Sequence, residues 1–294
     1  MSLSIFEDFP LKDLTTYKTG GNARYFASPA TEEEVLEYVA FAKKTELPLI
    51  VIGGGSNVLI ADGLLSACVM SSLLLNTLDI LDETDNYITF NVGAGVATKD
   101  LLTFCLEHSI TGAEFLTGIP GTLGGALWGN AGAQGESLVS VFQSAKVITK
   151  NNMVREIPRN DLSFSYRKLI WREEPVCVLS MILSMQKVDI ECVREKIAHF
   201  ASCKKGQPLG AKTAGCVFKN PDGGLSAGKL IDQIGGKILK VGGAEVCQCH
   251  ANFIENKNSA TSTDIYNLAN LIRQKIQGTF GITLEYEIKF IGQF

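Results

Sequence analysis

A run of glycines between residues 118 and 135 places the strongest constraint on how this chain can fold. The run, "GIPGTLGGALWGNAGAQG", has seven glycines in eighteen residues. A loop of this composition can turn sharply and can aim successive backbone N–H groups at one point, an arrangement that suits a pyrophosphate. The alternative interpretation is that the glycines only allow tight turns.

A second glycine cluster, Gly53-Gly54-Gly55-Ser56-Asn57, follows the short apolar run LIVI. Either cluster alone fits a tight turn as well as it fits a ligand site. Two clusters that both follow the end of a buried strand or helix favour a dinucleotide bound across both of them.

The common nucleotide-binding motifs fail on inspection. The cluster at residues 53–57 lacks the third glycine of GxGxxG, and no acidic residue stands at the expected ribose position. Residues 223–229, "GGLSAGK", have the spacing of a phosphate loop, but Leu230 replaces the Ser or Thr that would reach magnesium. We therefore expect no Rossmann-type site, and we interpret residues 223–229 as the start of a helix.

Length and charge narrow the class of protein. The 294 residues, 46% of them apolar, predict a globular protein of two or three compact units. The formal charge of −4 supplies no basic stripe for a nucleic acid. The N-terminal "MSLSIFEDFP" lacks the basic and apolar regions of a signal peptide, and no apolar stretch has the length of a membrane helix. We expect a cytoplasmic protein, most simply a monomer.

The cysteines predict reduced thiols. All eight are scattered along the chain, and most stand inside apolar runs such as "EPVCVLSMIL". Cys247 and Cys249 form a CxC with His250 alongside, which could be half of a metal site. Because no second pair stands at ligand spacing, we predict no metal.

Helices and strands alternate without strict βαβ repetition, so the fold class predicted is α+β. A capping box of Thr31 and Glu34 predicts a helix that leads into the LIVI strand. Residues 88–108 read as a strand, a glycine turn and a helix capped near Thr98. Apolar periodicity predicts further strands at 141–149, 176–186, 216–219, about 252–254 and 282–292, and further helices at 190–202, 225–234 and 261–278.

Seven segments together resemble one enzyme family, the UDP-N-acetylenolpyruvoylglucosamine reductases, across nearly the whole chain. They are, in order, "YKTGGNARYF" (17–26), "GGGSNVL" (53–59), "GIPGTLGGALWGNAGAQG" (118–135), "FSYR" (164–167), "GCVFKNP" (215–221), "AGKLID" (227–232) and "LEYEIKFIG" (284–292). The short distance from Arg167 to Gln207 is similar to the compact type of the family, which lacks an extra substrate-covering loop.

The resemblance implies a fold and a domain order. The FAD-binding fold would be that of the vanillyl-alcohol-oxidase (PCMH) group, followed by an α+β substrate domain. The first FAD-binding subdomain would be residues 1–68, joined by a C-terminal strand at 285–294. The second would be residues 69–203, and the substrate-binding domain would be residues 204–284.

The implied reaction is the reduction of an enolpyruvyl ether on a UDP-sugar to a lactyl ether, in the synthesis of peptidoglycan precursors. NADPH would reduce bound FAD, and the flavin would pass hydride to the substrate. Three residues match the catalytic motifs of the family: Arg167, which would polarise the substrate carboxylate, Cys216, and Glu287, which would assist the proton donor or the enolate. Glu285, on the same strand face as Glu287, would be only a solvated carboxylate. Cys216 stands where the family usually has serine, and we hypothesise that it is the general acid.

The cofactor would be held without a covalent bond, because no histidine lies in either glycine cluster. The residues implied in FAD binding are Gly53, Gly54, Gly55, Ser56, Asn57, Gly118, Ile119, Pro120, Gly121, Thr122, Gly124 and Gly125 at the pyrophosphate, with Asn130, Ala131 and Gly132 near the flavin.

Substrate contacts are implied at Tyr166, Lys219, Asn220 and His250. In "ASCKKGQPL" (201–209) the chain departs from the family, because Ser202 and Cys203 stand where a pair of arginines is common. Lys204 and Lys205 could replace that charge, although a lysine does not reproduce the bidentate hydrogen bonding of an arginine.

Two other functions are compatible with an FAD-binding chain. One is a flavin oxidase or dehydrogenase that acts on a small hydroxy acid. The other is a non-catalytic FAD-binding subunit that relays electrons, which would leave residues 204–284 without a role.

Overall fold

A computed structural model describes residues 3–165 and 168–294. The helices are α1 (Glu32–Thr45), α2 (Thr98–His108), α3 (Leu123–Trp128), α4 (Ile190–Cys203), α5 (Ala227–Gln233) and α6 (Ser262–Phe280). The strands are β1 (Phe6–Pro10), β2 (Asn22–Ala27), β3 (Leu49–Ile52), β4 (Val58–Ile60), β5 (Leu64–Ser71), β6 (Leu78–Glu83), β7 (Tyr87–Gly93), β8 (Ile110–Thr111), β9 (Gly132–Ala133), β10 (Glu136–Ser137), β11 (Phe142–Ile148), β12 (Val154–Pro158), β13 (Leu162–Ser165), β14 (Lys168–Trp171), β15 (Cys177–Lys187), β16 (Lys240–Val241), β17 (Ala244–Val246), β18 (Ile254–Asn256) and β19 (Lys289–Ile291). The mixture confirms the predicted α+β class.

The chain divides into two compact units. Unit 1 consists of residues up to Phe6, Tyr25–Gly54 and Ala67–Lys205, and unit 2 consists of Glu7–Arg24, Gly55–Ser66 and Gly206–Phe294. The three-domain division drawn from the sequence stays a prediction. Within the described ranges, no helix combines the length and the apolar character needed to cross a membrane.

Unit 1 is built on an antiparallel sheet in the strand order β12-β11-β15-β7-β6, with β8 also paired to β15. The alternating apolar residues of these strands pack with α2 and α3 around fully buried Phe90, Phe115 and Phe142. A second cluster packs Val35 and Tyr38 of α1 near β5, which pairs in parallel with β3.

The N-termini of α1 and α2 differ in detail from the predicted caps. The Thr31 hydroxyl accepts from the Glu34 N–H at 3.2 Å as predicted, but the Glu34 carboxylate accepts from Ala30 N–H, one residue earlier than in a capping box. The helix α2 begins at Thr98, near the predicted position, but its N-cap is Ala97 and no side chain caps it. Thr98 instead donates its hydroxyl to the Ile119 carbonyl at 2.6 Å, so its side chain holds the glycine-rich loop.

Unit 2 packs the long helix α6 against the sheet β16-β17-β18. The helix begins with a true capping box of Thr261 and Asp264, and it buries the apolar stripe that the sequence predicted. Its first N–H groups also donate to Asp62, at 3.0 Å from Ser262 and 2.9 Å from Thr263. Burial alone would raise the pKa of the Asp62 carboxyl. The hydrogen bonds from Ser262 and Thr263 have the larger combined effect, so the pKa is lowered.

Two predicted strands are much shorter than expected. Residues 282–292 were predicted as one strand, but only β19 is regular, and it pairs in parallel with β4. The predicted strand at 216–219 is reduced to a single bridge between Phe218 and Tyr286. The alternation was correct, because Leu284 and Ile288 are buried and Glu285 is exposed. Both strands are shorter than predicted because only a short stretch of partner backbone lies beside each of them to form hydrogen bonds.

Candidate active site

The two glycine clusters meet inside unit 1. A β-carbon built on Gly53 would lie 2.3 Å from the Thr122 hydroxyl oxygen, and one built on Gly54 would lie 2.7 Å from the Gly121 α-carbon. Both distances are too short for any side chain, so glycine is required for the loops to approach. The predicted convergence of the two loops is therefore present at these residues.

The backbone of the two clusters can hold an anion. Within the described part of the chain, the N–H groups of Gly53, Gly54 and Gly121 have no protein partner. Gly121 has a φ of +125°, a conformation that favours glycine. Unpaired N–H groups on adjoining turns are the donors that a pyrophosphate uses, so these residues fit that group.

The rest of the first cluster belongs to unit 2. Gly55 has a φ of +60°, and its β-carbon would lie 1.9 Å from the Leu14 carbonyl oxygen. Ser56 and Asn57 form the turn that leads into β4. Sequence reasoning therefore named a continuous loop whose residues are divided between two compact units.

Lys204 has a role that the sequence did not suggest. Its ammonium group donates a hydrogen bond to the Thr117 carbonyl, and its Cδ lies 3.0 Å from the position of a Gly118 β-carbon. The possibility that Lys204 or Lys205 replaces the charge of a substrate-binding arginine stays a prediction. In the structure Lys204 lies against the glycine-rich loop, where its charge adds to the donors of the cluster.

The end of the glycine-rich run forms a hairpin of β9 and β10. Gln134 and Gly135 connect the strands with φ values of +52° and +87°. Asn130 has a φ of +42°, and its N–H donates to the Leu127 carbonyl at the end of α3. The predicted flavin residues Asn130, Ala131 and Gly132 thus stand between α3 and the hairpin, adjacent in the chain to the pyrophosphate residues. Gly118, Ile119, Pro120, Gly124 and Gly125 lie before α3 or in its first turn.

Cys216 lies at the start of a tightly held segment of unit 2. Gly215 before it has a φ of +79°, which favours glycine, and Val217 and Phe218 after it are buried in the core. Asn252 fixes the segment, since its side chain accepts from Phe218 N–H at 3.0 Å and donates to the Phe218 carbonyl at 2.8 Å. The Cys216 side chain is half-buried.

Glu287 is held beside the same segment. Its N–H donates to the Val217 carbonyl at 2.8 Å, and Lys219 N–H donates to the Glu285 carbonyl at 2.9 Å. Asn57 then fixes Glu287 from the other side, by donating its amide to the Glu287 carbonyl at 3.3 Å. The backbones that carry the predicted thiol and the predicted carboxylate are therefore bonded neighbours, although they are about seventy residues apart in sequence.

Lys219 forms a salt bridge with Glu285, at 3.1 Å between Nζ and Oε2. Most of the Glu285 side chain is exposed, so the bridge contributes little to stability and opens easily. Sequence reasoning preferred Glu287 to Glu285 as the functional carboxylate. The structure supplies a structural role for Glu285 as the partner of Lys219.

Asn220 and His250 flank the start of α5. The Asn220 side chain accepts from Ala227 N–H at 3.1 Å, and a β-carbon on Gly228 would lie 3.5 Å from the His250 ring. His250 Nδ1 accepts from Asn252 N–H at 3.3 Å. Burial lowers the pKa of His250, so the imidazole is neutral at pH 7 and its remaining nitrogen carries the donor proton. The interpretation of "GGLSAGK" as a helix start is confirmed, with Ser226 as the cap.

Tyr166 and Arg167, predicted to act on the substrate, lie outside the described residues. Sequence reasoning missed the role of Asn252 in fixing the segment after Cys216, and it missed the contact of Lys204 with the glycine-rich loop. Asn252 had one available signal, because a polar residue inside the apolar run "HANFI" must find buried partners. For Lys204 the sequence gave no signal beyond the positive charge of the side chain.

Two family descriptions match the chain. "FAD binding domain" matches residues 23–157, and "UDP-N-acetylenolpyruvoylglucosamine reductase, C-terminal domain" matches residues 207–291. The first range contains both glycine clusters, and the second contains Cys216, His250 and Glu287.

Two relatives and one solved structure point to the same family as the second of these descriptions. The UDP-N-acetylenolpyruvoylglucosamine reductase of Orientia tsutsugamushi is 34% identical over 98% of this chain and 94% of its own length. The protein of the same name from Caldicellulosiruptor bescii is 36% identical over 99% of this chain and 92% of its own length. The crystal structure of the UDP-N-acetylenolpyruvylglucosamine reductase of Thermus caldophilus has a TM-score of 0.82 and 31% identity, and the match covers 99% of each chain. The chain therefore belongs to the UDP-N-acetylenolpyruvoylglucosamine reductase family, a family of FAD-dependent oxidoreductases.

Proposed function

We propose that this enzyme reduces UDP-N-acetylglucosamine enolpyruvate to UDP-N-acetylmuramate with electrons from NADPH, in the cytoplasmic synthesis of peptidoglycan precursors. The observation that carries the proposal is the pairing of the Cys216–Lys219 segment with Glu285–Glu287, which sets a thiol and a carboxylate on adjacent backbones. An enol ether needs one proton for each hydride that it accepts, and this pair can supply it.

FAD is the cofactor that the glycine clusters would hold. When bound, it supplies the hydride chemistry. Gly53, Gly54 and Gly121 would donate backbone hydrogen bonds to its pyrophosphate, and Lys204 would stabilise both the loop and the negative charge. No covalent tether is expected, because His108, His199 and His250 all lie outside the two glycine clusters.

Cys216 would donate the proton to the substrate carbon that does not receive hydride. A thiol has an ordinary pKa of about 8.5, much nearer neutrality than that of serine, so it is the better acid near pH 7. Glu287 would assist by holding or returning that proton. Arg167 would bind the carboxylate of the enolpyruvyl group with two parallel hydrogen bonds, and thereby stabilise enolate character.

The sugar nucleotide would lie along the other polar residues of unit 2. Lys219 would exchange its exposed partner Glu285 for a diphosphate oxygen. Asn220 and neutral His250, on either side of the first turn of α5, would add hydrogen bonds to the same ligand. Tyr166 would complete the substrate contacts.

An anaerobic half-reaction separates this function from its rivals. The purified protein is examined for flavin absorbance, reduced with NADPH without air, and mixed either with the enolpyruvyl UDP-sugar or with small hydroxy acids. We expect NADPH to bleach the flavin and only the UDP-sugar to restore it. Rapid reoxidation by oxygen with reduction by hydroxy acids would identify an oxidase, and a flavin that responds to neither would identify an electron-relay subunit.

Substitution of Cys216 tests the proton donor. Cys216→Ala should lower kcat by about 10²–10⁴-fold, the usual contribution of a positioned acid. Cys216→Ser should remain partly active. Since the thiol acts only while protonated, wild-type turnover should fall as the pH rises through its pKa, and this alkaline limb should disappear in Cys216→Ser. Full activity of Cys216→Ala would contradict the assignment.

A further inference from the structure

The CxC motif lies in the loop that connects β17 and β18. The Cys247 and Cys249 sulfur atoms are 2.9 Å apart, and both lie within 4.8 Å of a Glu255 carboxylate oxygen. Cys247 and Glu255 are buried, whereas Cys249 is exposed. Neither thiol nor this carboxylate has a part in the reaction proposed above.

We propose that Cys247 and Cys249 form a reversible disulfide when the enzyme meets a peroxide. A disulfide bond is about 2.05 Å long, so the two sulfurs need to approach by only about 0.9 Å, the difference from 2.9 Å. The same distance disfavours a zinc ion, because two thiolates on a tetrahedral ion with bonds of about 2.3 Å would be held about 3.7 Å apart.

The surrounding backbone keeps the two thiols together. Cys247 N–H donates to the Phe253 carbonyl at 2.9 Å, which continues the pairing of β17 with β18. Gln248, between the cysteines, donates its side-chain amide to the Lys237 carbonyl at 2.7 Å. The carbonyl of His250, which follows Cys249, accepts from Phe253 N–H at 3.0 Å. Since the residues on both sides of the turn are held, closing the bond costs little additional chain entropy.

The two thiols have different roles in the reaction. The exposed Cys249 sulfur attacks the O–O bond of the peroxide and becomes a sulfenic acid, with release of water or an alcohol. The Cys247 sulfur then attacks the sulfenic sulfur, so that the S–S bond forms, the S–O bond breaks and a second water leaves. With hydrogen peroxide, two thiols and one peroxide give one disulfide and two waters.

Glu255 suits the second step. One of its carboxylate oxygens lies within 4.8 Å of the Cys247 sulfur, so a small movement lets it take that proton and pass it to the departing hydroxide. Burial raises the pKa of Cys247 to about 12, which makes Cys247 a poor first target for peroxide and leaves that step to Cys249. Lys257, 2.8 Å from Glu255, keeps the carboxylate ionised.

The disulfide would act on the proposed substrate site. His250 follows Cys249 directly, and Asn252, which fixes the segment after Cys216, lies two residues further. A ring closed across residues 247–249 would restrict the turn that sets both side chains. This consequence rests on the proposed function, and it predicts that oxidation slows turnover and that a dithiol reductant restores it.

Peptide mapping tests the bond itself without any assay of activity. The protein with its FAD is treated with hydrogen peroxide, free thiols are alkylated, and trypsin releases residues 241–257, which contain only these two cysteines. We expect this peptide to resist alkylation and to weigh two hydrogen atoms less, until dithiothreitol is added. Cys249→Ser should abolish the effect, and the matched control Cys192→Ser, at another exposed thiol, should retain it. Two alkylated thiols after peroxide, or a stoichiometric zinc ion that blocks their oxidation, would overturn the proposal.

Turnover is then measured in a Cys216→Ser background, because peroxide can also oxidise Cys216. Peroxide should lower the residual activity of Cys216→Ser reversibly, and should leave that of Cys216→Ser/Cys249→Ser unchanged. A disulfide without a change in turnover would refute the link to the substrate site. Failure of the reduced wild-type enzyme to act on the UDP-sugar would refute the proposed function, whereas the mass result would still decide the disulfide.

Discussion

Replacing Asn252 with alanine should loosen the segment that carries Cys216. The Asn252 side chain is 3% exposed and satisfies both backbone groups of Phe218, which is 1% exposed. The alanine variant keeps the backbone bond from Val217 N–H but leaves a buried N–H and a buried carbonyl unpaired. Each unpaired group costs about 1–3 kcal/mol, so unit 2 should lose about 2–6 kcal/mol of stability.

Hydrogen exchange of the buried amides of α6 measures this loss. Both tryptophans lie in unit 1, so their fluorescence does not follow unit 2. Exchange through unfolding of unit 2 should accelerate about tenfold for each 1.4 kcal/mol lost. The matched control is Asn258→Ala, which removes one exposed hydrogen bond of 3.4 Å and should change stability by less than about 0.5 kcal/mol. Equal protection of α6 in the two variants would refute the reasoning.

Three further predictions concern the glycines and His250. Gly54→Ala should force its loop away from Gly121 and lower the FAD content of the purified protein, measured by absorbance, whereas Gly224→Ala, whose β-carbon meets nothing within 4 Å, should retain FAD. Gly278→Ala, on the exposed side of α6, should stabilise the protein by up to about 1 kcal/mol and raise the thermal midpoint. Because the pKa of His250 is lowered on folding, the unfolded chain binds the proton more readily, so stability should fall as the pH drops below about 6.5. Urea midpoints should show a smaller acid loss in His250→Gln, and an unchanged loss would contradict the assignment.

Apolar periodicity predicted those features of helices and strands that neighbouring residues alone determine. The apolar stripe of α6 and the period of residues 282–292 were both read correctly, since helix and strand periodicity are properties of neighbouring residues. The extent of β19 was not predicted, because it depends on how many residues of β4 lie beside it. The Thr98 side chain does not cap α2, because its hydroxyl bonds instead to a tertiary partner, the Ile119 carbonyl.

The convergence of the two glycine clusters was predictable from the sequence. A dinucleotide bound across both clusters requires them to approach each other, and the structure shows the contacts at Gly53, Gly54 and Gly121 that require glycine. The family resemblance supplied Cys216 and Glu287, whose roles stay predictions. The sequence does not show which distant residues contact each other. The main example is the hydrogen bond from the Asn57 side-chain amide to the Glu287 carbonyl.

The parallel pairing of β4 with β19 also governs when the protein can fold during synthesis. Val58 and Lys289 are partners although they are about 230 residues apart in the sequence, and unit 2 is assembled from three separate stretches of the chain. The ribosome delivers the first two stretches, and all of unit 1, before the third exists. Residues 7–24 and 55–66 must therefore wait, partly unpaired, until the last residues of the chain emerge.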